Sequence, residues 1–220
     1  MIRRVRCTTR AAGVTRVEFA AAWPAAVAAA ARAPAGVRPL RLAVNTVLPE
    51  AADPRHDGVE IGWFTDRAHA ARYAAWQGPR EGDVTRSASP VFLARESVMR
   101  GDDWLAGRWA DPSSRLKHLA LATRAADLTP AGFSARWQAH AGHVRPQVPI
   151  PAEARGLAYV QSHPLEDAPR PYDALTEVYF TTPEALAARV AWFAAAPAAD
   201  PALFSGSWLL PAHETLIPLD

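Results

Sequence analysis

The chain has 220 residues, half of them hydrophobic and 21% charged, which is ordinary usage for a folded globular protein and far from disordered or collagen-like composition. Its formal charge of +2, with a pI near 9.0, is too small and too dispersed to track a phosphate backbone, so nucleic acid is not expected as a partner. No stretch reaches the roughly 18 uncharged apolar residues of a membrane-spanning helix, and no apolar core follows the basic start MIRRVRCTT, so no membrane role is expected. The single cysteine, Cys7, excludes an internal disulfide and a cysteine-based metal site, and a cytoplasmic location is expected.

Residues 4–9 alternate so that Val5 and Cys7 share a face, the pattern of a short strand with a buried side. Thr15, Phe19 and Trp23 then open a helix that runs into the alanine-rich stretch 20–31. Two runs, 39–48 and 59–64, are joined by a polar, Pro-containing connection and read as antiparallel partners. A helix over 66–76, a Gly-, Pro- and Ser-rich loop over 77–90 and a strand over 91–98 complete the series. Residues 100–113 form a short linking helix anchored by Trp104 and Trp109.

The same order then returns. A strand over 117–123 puts Leu119 and Leu121 on one face, and Thr129 caps the next helix with Pro130 at its first position. Phe133, Trp137, His140 and Val144 fall on one inward helical stripe, which Pro146 and Pro149 bring to an end. Strands over 156–163 and 175–180, a helix over 183–196, a loop over 197–204 and a strand over 208–217 follow.

This return is an internal repeat in residues as well as in pattern. Thr9, Arg10, Ala11 and Ala12 recur as Thr123, Arg124, Ala125 and Ala126, and Thr15, Phe19 and Trp23 recur as Thr129, Phe133 and Trp137. Asp57, Phe64, Thr65 and Trp76 are answered by Asp173, Phe180, Thr181 and Trp192, with Trp63 facing Tyr179. Ala94, Glu96, Ser97 and Val98 are answered by Ala212, Glu214, Thr215 and Leu216. The predicted fold is therefore α+β: two ferredoxin-like βαββαβ halves, residues 1–113 with the linker and residues 114–220. Each sheet would cover the bare face of the other, as a pseudo-dimeric α+β barrel with helices outside and a ligand cavity between the sheets. Such a chain serves as a monomer in place of a dimer, or pairs further as a homodimer.

The stretch FSARWQAHAGHV, followed by YDALTEVYF, resembles the EthD family pattern of a helix with Phe, Trp and His and a strand carrying an acid, a glutamate and an aromatic-Phe pair. The first half repeats the frame as FAAAW and DGVEIGWF. The resemblance implies a dimeric α+β barrel, and an activity such as dehydration or decarboxylation of aromatic polyketides, or none. Ala141 stands where the family places its histidine, with His140 one residue before and His143 two after, while Glu177 matches the family's glutamate. Ala26 and Ile61 occupy the corresponding positions of His140 and Glu177 in the first half, which points to one site, in the second.

The candidate catalytic residues are His140 as a general base, Glu177 as its carboxylate partner, and His143. His118, Trp137, Tyr179 and His213 are candidates to line the substrate site. Packing offers a rival role for each, as satisfied polar groups in a core. His140 and His143 sit at i, i+3, but no metal-binding signature accompanies them and no metal is expected. Glu96, Glu214, Arg10 and Arg124, present in both halves, read as structural ion pairs. No phosphate loop, nucleophile elbow or haem-attachment motif is present, so no cofactor is expected. The function expected is a cofactor-independent lyase, cyclase or isomerase that moves a proton beside a carbonyl of a small apolar, aromatic or polyketide-like molecule. The alternative is a noncatalytic barrel that binds such a ligand.

Overall fold

Strand alternation and helix stripes decide which faces must be buried, and a computed structural model shows how the chain buries them. The structure describes residues 1–30, 32–78, 84–86, 89–111, 115–145, 147–165, 170–196 and 199–219. In chain order the elements are β1 (Ile2–Thr8), α1 (Arg16–Ala30), β2 (Arg41–Val47), β3 (Gly58–Phe64), α2 (Arg67–Gln77), β4 (Val91–Arg100) and α3 (Asp102–Gly107). There follow β5 (Arg115–Arg124), α4 (Pro130–Ala139), a small hairpin of β6 (His143–Arg145) and β7 (Val148–Pro149), and a single turn of 3-10 helix at Ala152–Ala154. The chain continues through β8 (Ala158–Pro164), β9 (Ala174–Phe180), α5 (Pro183–Ala195) and β10 (Phe204–Leu216).

Eight strands close into one antiparallel barrel in the order β1-β3-β2-β10-β5-β9-β8-β4. Within residues 1–113 the strands lie as β4-β1-β3-β2, and within 114–220 as β10-β5-β9-β8, the same order of use. Two seams join these groups: β2 pairs with β10, and β4 pairs with β8. Closure leaves the ring without a free edge. Inside, Val5, Cys7, Ile61, Leu119, Leu121 and Leu175 belong to one apolar core, each with no measurable exposure. The outer faces carry the helices, with Phe19, Trp23 and Val27 of α1 packed on Leu42 and Val44, and Phe133 and Trp137 of α4 on Ala122 and Ala174.

Local chemistry explains the element ends. Thr129 accepts from the Gly132 N–H ahead of Pro130, and Thr182 accepts from the Ala185 N–H ahead of Pro183, two caps of one design. Helix α4 stops earlier than its apolar stripe predicts. Ala139 is its last residue, His140 is the C-cap, and Gly142 adopts φ +88°, a left-handed turn that sends Val144 into β6 instead of a further helical turn. Strand β10 starts four positions before the predicted Trp208. The predicted linking helix shrinks to α3, and Trp109 lies beyond it, edge-on to Trp63 at 5.4 Å. The predicted loop over 77–90 falls partly outside the described residues.

Repeated residues make repeated contacts. Asp57 accepts from the Arg10 backbone and guanidinium, and Asp173 does the same for Arg124, each pairing the end of one strand to the start of another. One difference between the halves concerns the seat of the helical tryptophan. A Cβ on Gly58 would stand 2.1 Å from the Trp23 ring, whereas Ala174 occupies the corresponding place beneath Trp137. Gly58→Ala is expected to force Trp23 outward and to lower stability by about 1–3 kcal/mol, the usual size of an overpacking change. Urea unfolding of the variant would measure it, and an unchanged midpoint would show that the ring moves freely.

Candidate functional site

The cavity with a mainly apolar lining lies outside the barrel. This cavity lies between the outer face of β5, β9 and β10 and the cover formed by α4, the β6–β7 hairpin and α5, while a second, polar-lined cavity of about 160 Å³ is bordered by Arg3, Trp63, Glu96, Arg108, Trp109 and Tyr179 on the barrel side. The apolar cavity holds about 120 Å³ and opens to solvent. Ala120, Ala122, Ala174 and Thr176 floor it, and Trp137, Val144, Ile150, Phe193 and Phe204 wall it. These small floor residues are why space remains. At the matching places on β1 and β3 the first half carries Arg6 and Glu60, and Glu60 takes charge-assisted bonds from Arg4 and Arg6 and hydrogen bonds from Gln77. That cluster fills the ground that the cavity occupies in the second half.

Three of the sequence candidates meet at this cavity: Trp137, His140 and His143 all line it. His140 is half-buried at the end of α4, with its Nε2 3.0 Å from the Val144 carbonyl oxygen. A carbonyl oxygen can only accept, so Nε2 carries the proton, and Nδ1 of the neutral ring is left with a lone pair. Burial pushes the His140 pKa down, opposed by the bond to Val144 and the Asp200 carboxylate, and the neutral form prevails at pH 7. His143 is exposed at the cavity rim, its N–H bonded to the His140 carbonyl.

His118 stands behind the cavity wall. It is 2% exposed, and its Nδ1 accepts from Arg189 Nε at 2.9 Å, so its proton sits on Nε2. Burial and the Arg189 charge push its pKa down to about 3. His213 lies on the outer face of β10 opposite Thr46 and does not reach the cavity.

Glu177 and Tyr179 lie on the other side of β9. Thr176 and Val178 line the cavity, and the period of two turns Glu177 and Tyr179 into the barrel. The hydrogen-bonded His140–Glu177 pair expected from the sequence is therefore not formed. Glu177 instead accepts from Arg3 Nη1 at 2.5 Å, Lys117 Nζ at 2.5 Å and the Tyr179 hydroxyl at 2.9 Å. Burial alone would raise its pKa, but Arg3 and Lys117 outweigh that and hold it well below the usual carboxylate range. The network continues through Lys117 to Glu214 at 2.6 Å, from Glu214 to Arg108 at 2.9 Å, and from Arg3 to Glu96. Three cations answer three carboxylates here. Such a network fixes geometry inside the ring.

Sequence reasoning missed Arg189, Tyr159, Arg155 and Arg100, which also line the cavity. The available signal was in α5, where Arg189 interrupts an inward stripe with Leu186 and Phe193 at i−3 and i+4. Among the described residues, no group of three His, Cys, Asp or Glu side chains is placed to hold a metal ion, and no helix is long and apolar enough to cross a membrane.

No protein-family model matches the chain, and no curated protein matches it in sequence. Among solved structures, the "putative monooxygenase from Lactobacillus acidophilus NCFM" is similar to it with a TM-score of 0.43 and 10% identity, over 99% of this chain and 96% of that one.

Proposed function

We propose that the protein is an EthD-like, cofactor-independent cytoplasmic enzyme, a pseudo-dimer of two related halves with one working site, in residues 114–220. It moves a proton beside a carbonyl of a small apolar, aromatic or polyketide-like substrate, in a dehydration, cyclisation or isomerisation. The observation that carries this reading is the fixed tautomer of His140: Nε2–H is held by the Val144 carbonyl, and an unprotonated Nδ1 belongs to a ring in the wall of an apolar cavity. A ring so held accepts a proton without first reorienting. Asp200, whose charge favours the imidazolium, takes the supporting part that the sequence assigned to Glu177. Trp137 and Phe204 supply flat walls for an aromatic body, and His143 at the rim is placed to relay the proton to water.

The test is exchange of the α-hydrogens of an apolar ketone such as 2-tetralone in deuterated water, followed by proton NMR. The protein is expected to accelerate exchange, and His140→Ala, with its fold checked by circular dichroism, to lose about 10²–10⁴-fold, the usual share of general base catalysis. Its pH dependence should vanish with it. Exchange at the full rate in the variant would remove His140 from the mechanism, and binding without exchange in the wild type would make the barrel a carrier.

A further inference from the structure

The cavity end opposite its apolar walls is strongly cationic. Arg189 is 6% exposed, yet among the described residues no carboxylate is paired with it. Its Nε is held by His118 and its Nη1 by the Ala154 carbonyl, which uses two of the five N–H donors of a guanidinium and fixes the plane of the remainder. The charged or titratable groups that act on it are Tyr159 and Arg100. Arg100 in turn is held by the Arg155 and Gly156 carbonyls, and Arg155 by the Ile150 carbonyl, so backbone oxygens rather than acids position both. All three arginines and Tyr159 line the same cavity.

The first half shows what a neutralised version looks like. Arg4 and Arg6 lie under α2 there, but Glu60 compensates them. Thr176 stands at the place of Glu60 in the second half, and no acid replaces it. The Phe193 ring, 4.5 Å from the Arg189 guanidinium, offsets part of the cost of burying this cation, and an anion would offset the rest.

We propose that the cavity binds a carboxylate with an apolar body, the carboxylate taken by Arg189 with Arg100, Arg155 and Tyr159 around it, and the body laid against Trp137 and Phe193. This rests on the cavity being the ligand site, and it adds the acidic group that the ligand must carry. A planar guanidinium held from behind is suited to a bidentate carboxylate, and the same anchor orients the body toward His140.

Calorimetric titration with 4-isopropylbenzoate and its uncharged analogue 4-isopropylbenzamide tests the idea without any turnover. The acid is expected to bind the wild-type protein at least about tenfold more tightly than the amide at low salt, with its affinity alone falling as sodium chloride is added. Arg189→Met should remove that preference and leave amide binding within about threefold. Because Arg189 also holds the Ala154 turn, the exposed Arg155→Gln is the second variant, expected to weaken the acid by about two- to fourfold and the amide not at all. Equal binding of acid and amide to the wild-type protein would overturn the proposal while leaving the apolar cavity as the ligand site. Binding of neither would overturn both.

Discussion

Lys117→Met is expected to lower the unfolding free energy by about 3–5 kcal/mol, the range found when one member of a buried charge network is removed. Lys117 and Glu177 have no exposed side-chain surface, and the ammonium lies 2.5 Å from Glu177 and 2.6 Å from Glu214. Methionine matches the volume but leaves two carboxylates in the barrel with one cation fewer between them. Arg3 and Arg108 remain on either side, but neither moves into the vacated position without giving up bonds of its own. Adding Glu214→Gln to Lys117→Met restores the charge balance and should recover part of the loss. Equilibrium unfolding in urea gives both numbers, and a loss below about 1 kcal/mol for Lys117→Met would mean that water enters the barrel and screens the network.

Acidification is the second large effect, and it arises from histidines buried in the neutral form. Burial and Arg189 bring His118 down to about 3, and burial and Arg55 bring His56 down to about 4, with Asp57 opposing. In the unfolded chain both titrate near the ordinary value of about 6.5. Below that pH the unfolded chain binds protons that the folded one refuses, so stability is full above about pH 6.5 and is lost as pH falls. Each histidine contributes about 1.4 kcal/mol per pH unit until its folded pKa is reached. Carboxylates contribute little above pH 5, so unfolding measured between pH 7 and 5 isolates the histidines. His56 bonds to the Tyr172 hydroxyl at 2.5 Å and can be replaced separately. His140 and His163, which burial also pushes down, add to the same slope, so His56→Gln should flatten it by less than about half, and an unchanged slope would assign it to other groups.

Much of the barrel was legible because strands write themselves in local alternation. Val5 with Cys7, and Leu119 with Leu121, mark the inward faces, and all four side chains are in the barrel core. The end of α4 was not legible. Val144 continues the helical spacing of Phe133, Trp137 and His140, so apolar periodicity alone carries the helix onward, and only the left-handed turn at Gly142 stops it. The site divided in the same way. Alternation along β9 correctly groups Glu177 with Leu175 and Tyr179, but whether that group faces the ring interior or the helices depends on how the sheet closes, a long-range property. His140 and Trp137 could be named because a helical stripe places them on one face. Arg189 could not be weighed without knowing that Thr176, and no acid, shares its cavity.

The ring order has a consequence for the timing of folding. Strand β10 fits between β2 and β5, so it is the last stave of the ring to leave the ribosome and the one that shuts it. Until then β2 and β5 wait with exposed edges, Glu214 has not reached Lys117 and Arg108, and the cavity lacks the floor and wall supplied by Ser207, Leu209 and Phe204. Pairings this distant in sequence form slowly, so the half-made protein is the state most in need of protection from its neighbours. The outer cavity and the barrel are thus completed in a single event.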